Sequence, residues 1–387
     1  MISARIAKVQ DPVIPIIGRW TRESPGTISL GQGVVHYSPP DQVFAAVSEA
    51  AVGDRTLDRY GDVVGEPTLT DLIAEKLERE NAIQATGDGA SVICSAGANM
   101  GFLNAILAIG DVGDEIILLG PYYFNHHMAI EIAGCRPVVV PTTSEDQPDL
   151  QAIKRAMSDK TRAVVTVSPN NPTGAVYSSE TLREINALCA QRGIFHISDE
   201  AYEYFLYDGA EHFSPGSLPG ASAHTISLFS LSKAYGLAGW RIGYSVVPDP
   251  LVDAVRKIQD TNLICPPKVC QVAAAAALQV GASWCHDRIA KLAPVRQASL
   301  DALASLSDRC EITVPRGAFY LFLKLQSDHH DLSLVQSLIR DEGVAVLPGS
   351  AFGHTDGCSL RASYGALDAD SVLEGIGRLQ RGLARIL

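Results

Sequence analysis

A chain of 387 residues exceeds what one simple hydrophobic core usually holds, so two unequal domains are expected. With 31 basic against 43 acidic side chains, a formal charge of −12 and no Lys/Arg cluster, the composition argues against nucleic acid and anionic membrane as partners. Hydrophobic residues make up 47 %, yet no uninterrupted apolar run is long enough to span a bilayer, and residues 1–20 lack the apolar centre of a signal peptide.

The eight cysteines form no C-x-x-C pair and no grouping with histidine at metal-ligand spacing, so neither zinc nor a disulfide framework is expected and a reducing cytoplasm is the natural setting. Residues 1–40 read as an arm. In it a short apolar run ends in the glycines of Leu30-Gly31-Gln32-Gly33, and Pro39-Pro40 closes it before helical patterning begins near Asp41. The segment Arg59-Tyr60-Gly61 leads to Pro67, which suits a first helical turn, and to a helix with Leu69, Leu72, Ile73 and Leu77 on one face.

From Ser91 onward short β-branched runs alternate with helical patterns: Val92 to Cys94, Glu115 to Leu119, Pro137 to Val140, Ala163 to Val167, Ile194 to Ile197 and Thr225 to Phe229. Such alternation predicts a largely parallel sheet covered on both faces, and ligands collect at the carboxyl ends of its strands. The unusual polar residues stand there: Ser95 to Asn99, Pro121-Tyr122-Tyr123, Ser168 to Gly174, Asp199 to Tyr202, and Ser230 to Lys233. A helix beginning near Met100 would leave the amides of Ala98 and Asn99 free as a phosphate cradle, although a plain glycine turn reads the same way. Asp199 ends an apolar run, where a carboxylate needs a cation or a helix to cap.

The run Thr225 to Phe229 delivers Ser230, Ser232 and Lys233 into a turn, and Arg241 follows among Gly236, Gly239 and Gly243. Two hydroxyls and a guanidinium beside one amine suit a phosphate-bearing aldehyde: Lys233 would condense with the carbonyl as a Schiff base while Ser230 and Arg241 grip the phosphate. Pyridoxal phosphate is the candidate. After an antiparallel-looking run Ile242 to Val247, helices are predicted at 250–260, 269–280 and 284–306. Strands at 318–323 and 344–347 and helices at 332–340 and 369–387 complete the chain. Ser359-Leu360-Arg361-Ala362 carries one arginine in a neutral strand, which could fork onto a carboxylate, although taken alone the surface edge-strand reading is the stronger. The ten histidines form no constellation.

The stretch Ser230 to Gly243 closely resembles the lysine-attachment signature of class I aminotransferases of fold type I, and further motifs follow the family order from about Gly31 to Arg361. The resemblance implies an α/β fold: a large domain (41–280) with a mostly parallel seven-stranded sheet between helices, a smaller α/β domain (281–387), and the arm packed with the latter. It implies a homodimer in which Tyr60 reaches the partner's cofactor phosphate. An aromatic among Tyr122, Tyr123 and Phe124 would lie on the cofactor ring, with Tyr123 the choice. Asn171 and Tyr202 would reach the ring hydroxyl, and Asp199 would keep the ring nitrogen protonated. Gly33, Asn171 and Arg361 would border the substrate and its carboxylate. Lys233 would carry the cofactor and then move the α-proton.

The implied activity is ping-pong transfer of an amino group between an L-amino acid and a 2-oxo acid. Elimination, cyclisation or oxidation on the same cofactor is the alternative, and a non-catalytic sensor of its amino-acid adduct is a third reading, which no DNA-binding segment supports. Some relatives place a lysine where this chain has Asn99, which weakens an aspartate-specific reading. The Leu30 to Gly33 segment looks more like the branch acting on aromatic, kynurenine-type or broad neutral substrates.

Overall fold

A computed structural model describes residues 2–53, 55–85, 87 and 89–387. The arm contains a helix, Val13–Glu23, and a short strand, β1 (Ile28–Ser29). No helix is predicted there, although Val13, Ile14, Ile17 and Trp20 recur at helical spacing: Val13 and Ile17 are buried, and Ile14 and Trp20 pack against the core.

Seven strands then build the main sheet: β2 (Ala90–Ser95), β3 (Glu115–Gly120), β4 (Arg136–Pro141), β5 (Thr161–Val167), β6 (Phe195–Asp199), β7 (Thr225–Ser230) and β8 (Gly243–Pro248). Their order is β2-β8-β7-β6-β5-β3-β4. Only β8 runs antiparallel, against both β2 and β7, so the carboxyl ends of β2, β3, β5, β6 and β7 share one rim. Central strands such as Ile116 to Leu118 and Ala163 to Val165 are buried on both faces, as a sheet covered by helices on each side requires.

The carboxyl-terminal part carries a second sheet, of order β12-β13-β10-β9, from β9 (Cys310–Ile312), β10 (Tyr320–Leu325), β12 (Leu347–Pro348) and β13 (Cys358–Ser363), while β11 (Val344–Ala345) pairs in parallel with β1 of the arm. The arm is fastened further by the Ser363 amide donating to Leu30 O at 2.7 Å. Gly375 of the last helix, Ala369–Ile386, lets that helix lie against Ile28 and Leu30, where a Cβ would come within 2.9 Å of Ile28. These contacts hang Gly31 to Gly33 over the rim of the large sheet.

Several predicted elements differ in detail. The helix expected over 284–306 is two, Ala282–Ile289 and Leu292–Leu303, followed by a 3-10 turn. Pro294 explains the break, because it has no amide for Ala290 O and fits only a first turn. The helix expected near Met100 starts at Ala98. The strand expected from Ala318 starts at Tyr320, because Ala318 is left-handed (φ 54°) and gives its amide to Phe205 O. The run Val344 to Leu347 divides because its first half pairs with the arm and its second with β13.

Candidate active site

At the end of β7 the chain turns so that the Ser232 amide donates to Ser230 Oγ at 3.2 Å, leaving the Ser230 proton for a ligand. The turn is closed by Gly236, left-handed at φ 68°, where a Cβ would meet Tyr37 O of the arm at 3.0 Å. Lys233 therefore points into a cavity of about 240 Å³ between the rim and the carboxyl-terminal sheet. Its Nζ donates to Gly33 O at 2.5 Å. Withdrawal from water, with the cations Arg361 and Arg241 assisting, brings its pKa down to about 8.

One end of the cavity is a cradle for an anion. The helix Ala98–Ile109 begins there with no side-chain cap. Its Met100 and Gly101 amides turn back to Gly97 O, and Ala98 and Asn99 line the cavity with Ser230 and Arg241. Arg241, itself left-handed at φ 53°, reaches Ala96 O at 3.4 Å and Ser232 Oγ at 3.4 Å. The glycines are required by contact: a Cβ on Gly97 would lie 2.3 Å from Arg241 Nη2, and one on Gly243 would lie 2.8 Å from the Ala98 nitrogen.

Asp199 terminates β6 in the floor, 5 % exposed. Its Oδ1 accepts from the Ala201 amide at 3.0 Å and its Oδ2 lies 3.0 Å from His126 Nε2. His126 is buried on the helix Phe124–Ile132 and stacked on Phe102 with ring centroids 3.9 Å apart. No Lys or Arg forms an ion pair with Asp199 among the described residues.

At the opposite end Arg361, in β13, is 2 % exposed. Its Nη1 donates to Asn171 Oδ1 at 2.9 Å and its Nη2 to Gly31 O at 2.6 Å, while Nε has no partner among the described residues. The guanidinium lies over the Tyr320 ring at 4.3 Å. Burial lowers its pKa from the ordinary arginine value. A buried guanidinium without a carboxylate is costly unless an anion joins it. Asn171 also donates to Tyr202 OH at 3.5 Å, and the Tyr202 and Tyr320 hydroxyls are 2.7 Å apart.

Eleven residues that the sequence singled out thus border one cavity: Gly33, Ala98, Asn99, Tyr123, Asn171, Asp199, Tyr202, Ser230, Lys233, Arg241 and Arg361. Tyr60 does not; it is 78 % exposed on the outside of the chain. Of the three aromatics weighed for the ring, Tyr122 is packed away on His127 and under Gly353, whereas Tyr123 and Phe124 border the cavity.

One residue, His126, escaped the sequence reading. His126 belonged to no histidine constellation because its partner is a carboxylate on another strand. Its one signal is its place four residues beyond Tyr122, at the strand end already marked. Tyr320 closes Arg316-Gly317-Ala318-Phe319-Tyr320, a segment that resembles the family's small-domain segments beside the pocket, and it does border the cavity, but nothing in the sequence marked its hydroxyl.

The profile of the family described as aminotransferase class I and II matches residues 25–379. The chain is 33 % identical over 396 residues to an aromatic aminotransferase of Arabidopsis thaliana, covering 100 % of this chain and 97 % of the plant protein. To the aspartate/prephenate aminotransferase of Thermus thermophilus it is 33 % identical, with 94 % and 93 % covered. Among solved structures, a Pyrococcus protein titled protein-A1 superposes with a TM-score of 0.92 at 31 % identity, covering 98 % of each chain. The aspartate aminotransferase of Rhizobium meliloti superposes with a TM-score of 0.91 at 29 % identity, covering 100 % of each.

Proposed function

We infer the roles below from one premise: the chain belongs to the class I and II aminotransferase family and is a pyridoxal-phosphate-dependent enzyme that moves amino groups between amino acids and 2-oxo acids. From that premise we propose that the cavity around Lys233 is its active site, with the residues in the following roles. The observation that carries the proposal is the juxtaposition, in one cavity, of an amine with its pKa brought down to about 8, a buried carboxylate and a buried guanidinium lacking an anion.

The donor set fits the cofactor. The anion cradle would hold the phosphate on the Ala98 and Asn99 amides, Ser230 and Arg241, and its two glycines occupy places that a Cβ would fill. Asp199 would meet the ring nitrogen, held in aim by His126 and the Ala201 amide. Asn171 and Tyr202 would reach the ring hydroxyl, and Tyr123 would lie against the ring. Bound pyridoxal phosphate supplies an electron sink for the pair released when the α-proton leaves.

Lys233 would hold the cofactor covalently and, when the substrate amine replaces it, take the proton from the α-carbon. An amine with a pKa of about 8 is free to accept a proton in a sizeable fraction of molecules near neutral pH. Asp199 would favour the protonated form of the ring nitrogen by lying against it. Arg361 would grip the substrate α-carboxylate, and Gly33 leaves that carboxylate room: a Cβ there would lie 2.8 Å from Tyr320 OH.

We propose an aromatic or otherwise neutral amino donor. Among the described residues the only Lys or Arg side chains bordering the cavity are Lys233, Arg241 and Arg361, each with a role above, and Asn99 offers no charge to a second carboxylate. We also propose an arm (1–40), a large domain (41–280) and a small domain (281–387), and a homodimer working in the cytoplasm. The dimer is supported by the exposed apolar side chains Phe44, Val52, Tyr60 and Val269 on and near the Asp41–Gly53 and Lys268–Val280 helices, which pack on one another. No helix among the described residues is long and apolar enough to cross a membrane.

The test is a panel of amino donors mixed with the yellow holoenzyme. A neutral or aromatic donor should bleach the visible band and a 2-oxo acid should restore it. Preferential bleaching by aspartate or glutamate would overturn the substrate assignment, and a Lys233→Ala protein that turns over at the wild-type rate would overturn the site.

A further inference from the structure

Tyr320 has no role in the reading above, yet it is fully buried within the cavity wall, on β10 beside β13. Its hydroxyl lies 2.7 Å from that of Tyr202, a distance at which one must donate to the other. A phenol has one proton and two lone pairs. Tyr202 already receives Asn171 Nδ2 at 3.5 Å. If Tyr202 gave its single proton to Tyr320, it would have none for a ligand. If Tyr320 is the donor, both acceptor sites of Tyr202 are used and its proton is left facing the cavity.

We propose that Tyr320 is a positioning residue for the aminotransferase reaction: it donates to Tyr202 and thereby turns the Tyr202 proton towards the ring oxygen of bound pyridoxal phosphate. This rests on the assignment of Tyr202 above and extends it by one residue.

Either hydroxyl could be the donor in the unliganded pair, so the ligand's need for the Tyr202 proton sets the direction. Burial pushes the Tyr320 phenol up to about 12 and Tyr202 well above its ordinary value, so both keep their protons at any working pH. The titratable and charged groups around the pair are Arg361, Lys233, Tyr123 and Asp199. Lys233 spends one N–H on Gly33 O, and Arg361 lies over the face of the Tyr320 ring, not at its hydroxyl. A donor chain of two phenols polarises the terminal O–H and strengthens its bond to an anionic oxygen. The chain therefore favours the form of the bound cofactor whose ring oxygen is negative, and weakening it moves the titration of the cofactor's visible band to higher pH.

The experiment titrates that band in the holoenzyme for wild type, Tyr320→Phe, Tyr202→Phe and the double variant. Phenylalanine keeps the aromatic face under Arg361, so the melting temperature should hold. Tyr320→Phe should raise the midpoint by about 0.5 pH unit and Tyr202→Phe by about 1 unit, the reach of one hydrogen bond. The double variant should match Tyr202→Phe alone. An unmoved midpoint in Tyr320→Phe, or an equal shift from it in the Tyr202→Phe background, overturns the proposal. Should Tyr202→Phe itself leave the midpoint unmoved, the assignment of Tyr202 falls and this inference with it. A shift from Tyr202→Phe alone removes only the role of Tyr320.

Discussion

Lys233 shows how a single side chain acquires reactivity from its setting. An ordinary lysine amine is almost wholly protonated at neutral pH, whereas burial beside Arg361 and Arg241 brings this one to about 8. In cofactor-free protein, trapping of the amine by an acylating reagent should therefore rise through a midpoint near pH 8; a midpoint near 10.5 would show that the amine is solvated. Gly97 makes the converse point, since its value lies in having no side chain. At φ 84° and with a Cβ directed at Arg241, Gly97→Ala should move the guanidinium out of the cradle and weaken pyridoxal phosphate binding about 100-fold. Cofactor dissociation measured by fluorescence checks this, and an unchanged constant would remove the phosphate from that end.

The strands that carry the site are tied together beneath it by a buried histidine. His196 in β6 bonds through Nε2 to Thr166 of β5 at 2.9 Å and through Nδ1 to Asn186 of the helix Ser179–Arg192 at 3.2 Å, and Asn186 continues to Thr225 of β7 at 2.8 Å. Burial lowers the His196 pKa from 6.5 to about 3. The unfolded chain then binds more protons than the folded one between those values, so stability present above pH 6.5 is lost as pH falls towards 3. Chemical denaturation of cofactor-free protein should follow that slope. His196→Leu should flatten it and cost about 2 kcal/mol at pH 7 by leaving Thr166 and Asn186 short of a partner. A variant as acid-sensitive as wild type would assign the loss to other groups.

At the scale of the whole molecule, Tyr60 stands outside its own cavity. The proposed dimer makes this intelligible if each Tyr60 serves the partner's phosphate cradle. Chains bearing Lys233→Ala and chains bearing Tyr60→Phe should each be weak alone, the second through a roughly tenfold loss of cofactor affinity. Refolded together they should regain activity, because one site in the hybrid then has an intact lysine and an intact tyrosine. No gain on mixing would place Tyr60 outside any active site, and a monomer by sedimentation would remove the dimer itself.

The sequence by itself determined the alternation of strands and helices from Ser91 to Phe229 and the residues at each strand end, because β-branched runs, turn residues and the Ser230 to Gly243 spacing are local signals. It also marked Asp199, since a carboxylate closing an apolar run needs a partner wherever the chain goes. Only the tertiary structure decided what that partner is, placing His126 of another element 3.0 Å away. The same holds for Tyr320, whose hydroxyl meets Tyr202 across 118 residues of chain. It holds too for Arg361, which became a buried cation only when the arm laid Gly31 O against it. Such contacts join distant segments, and no periodicity along the chain encodes the distance between them.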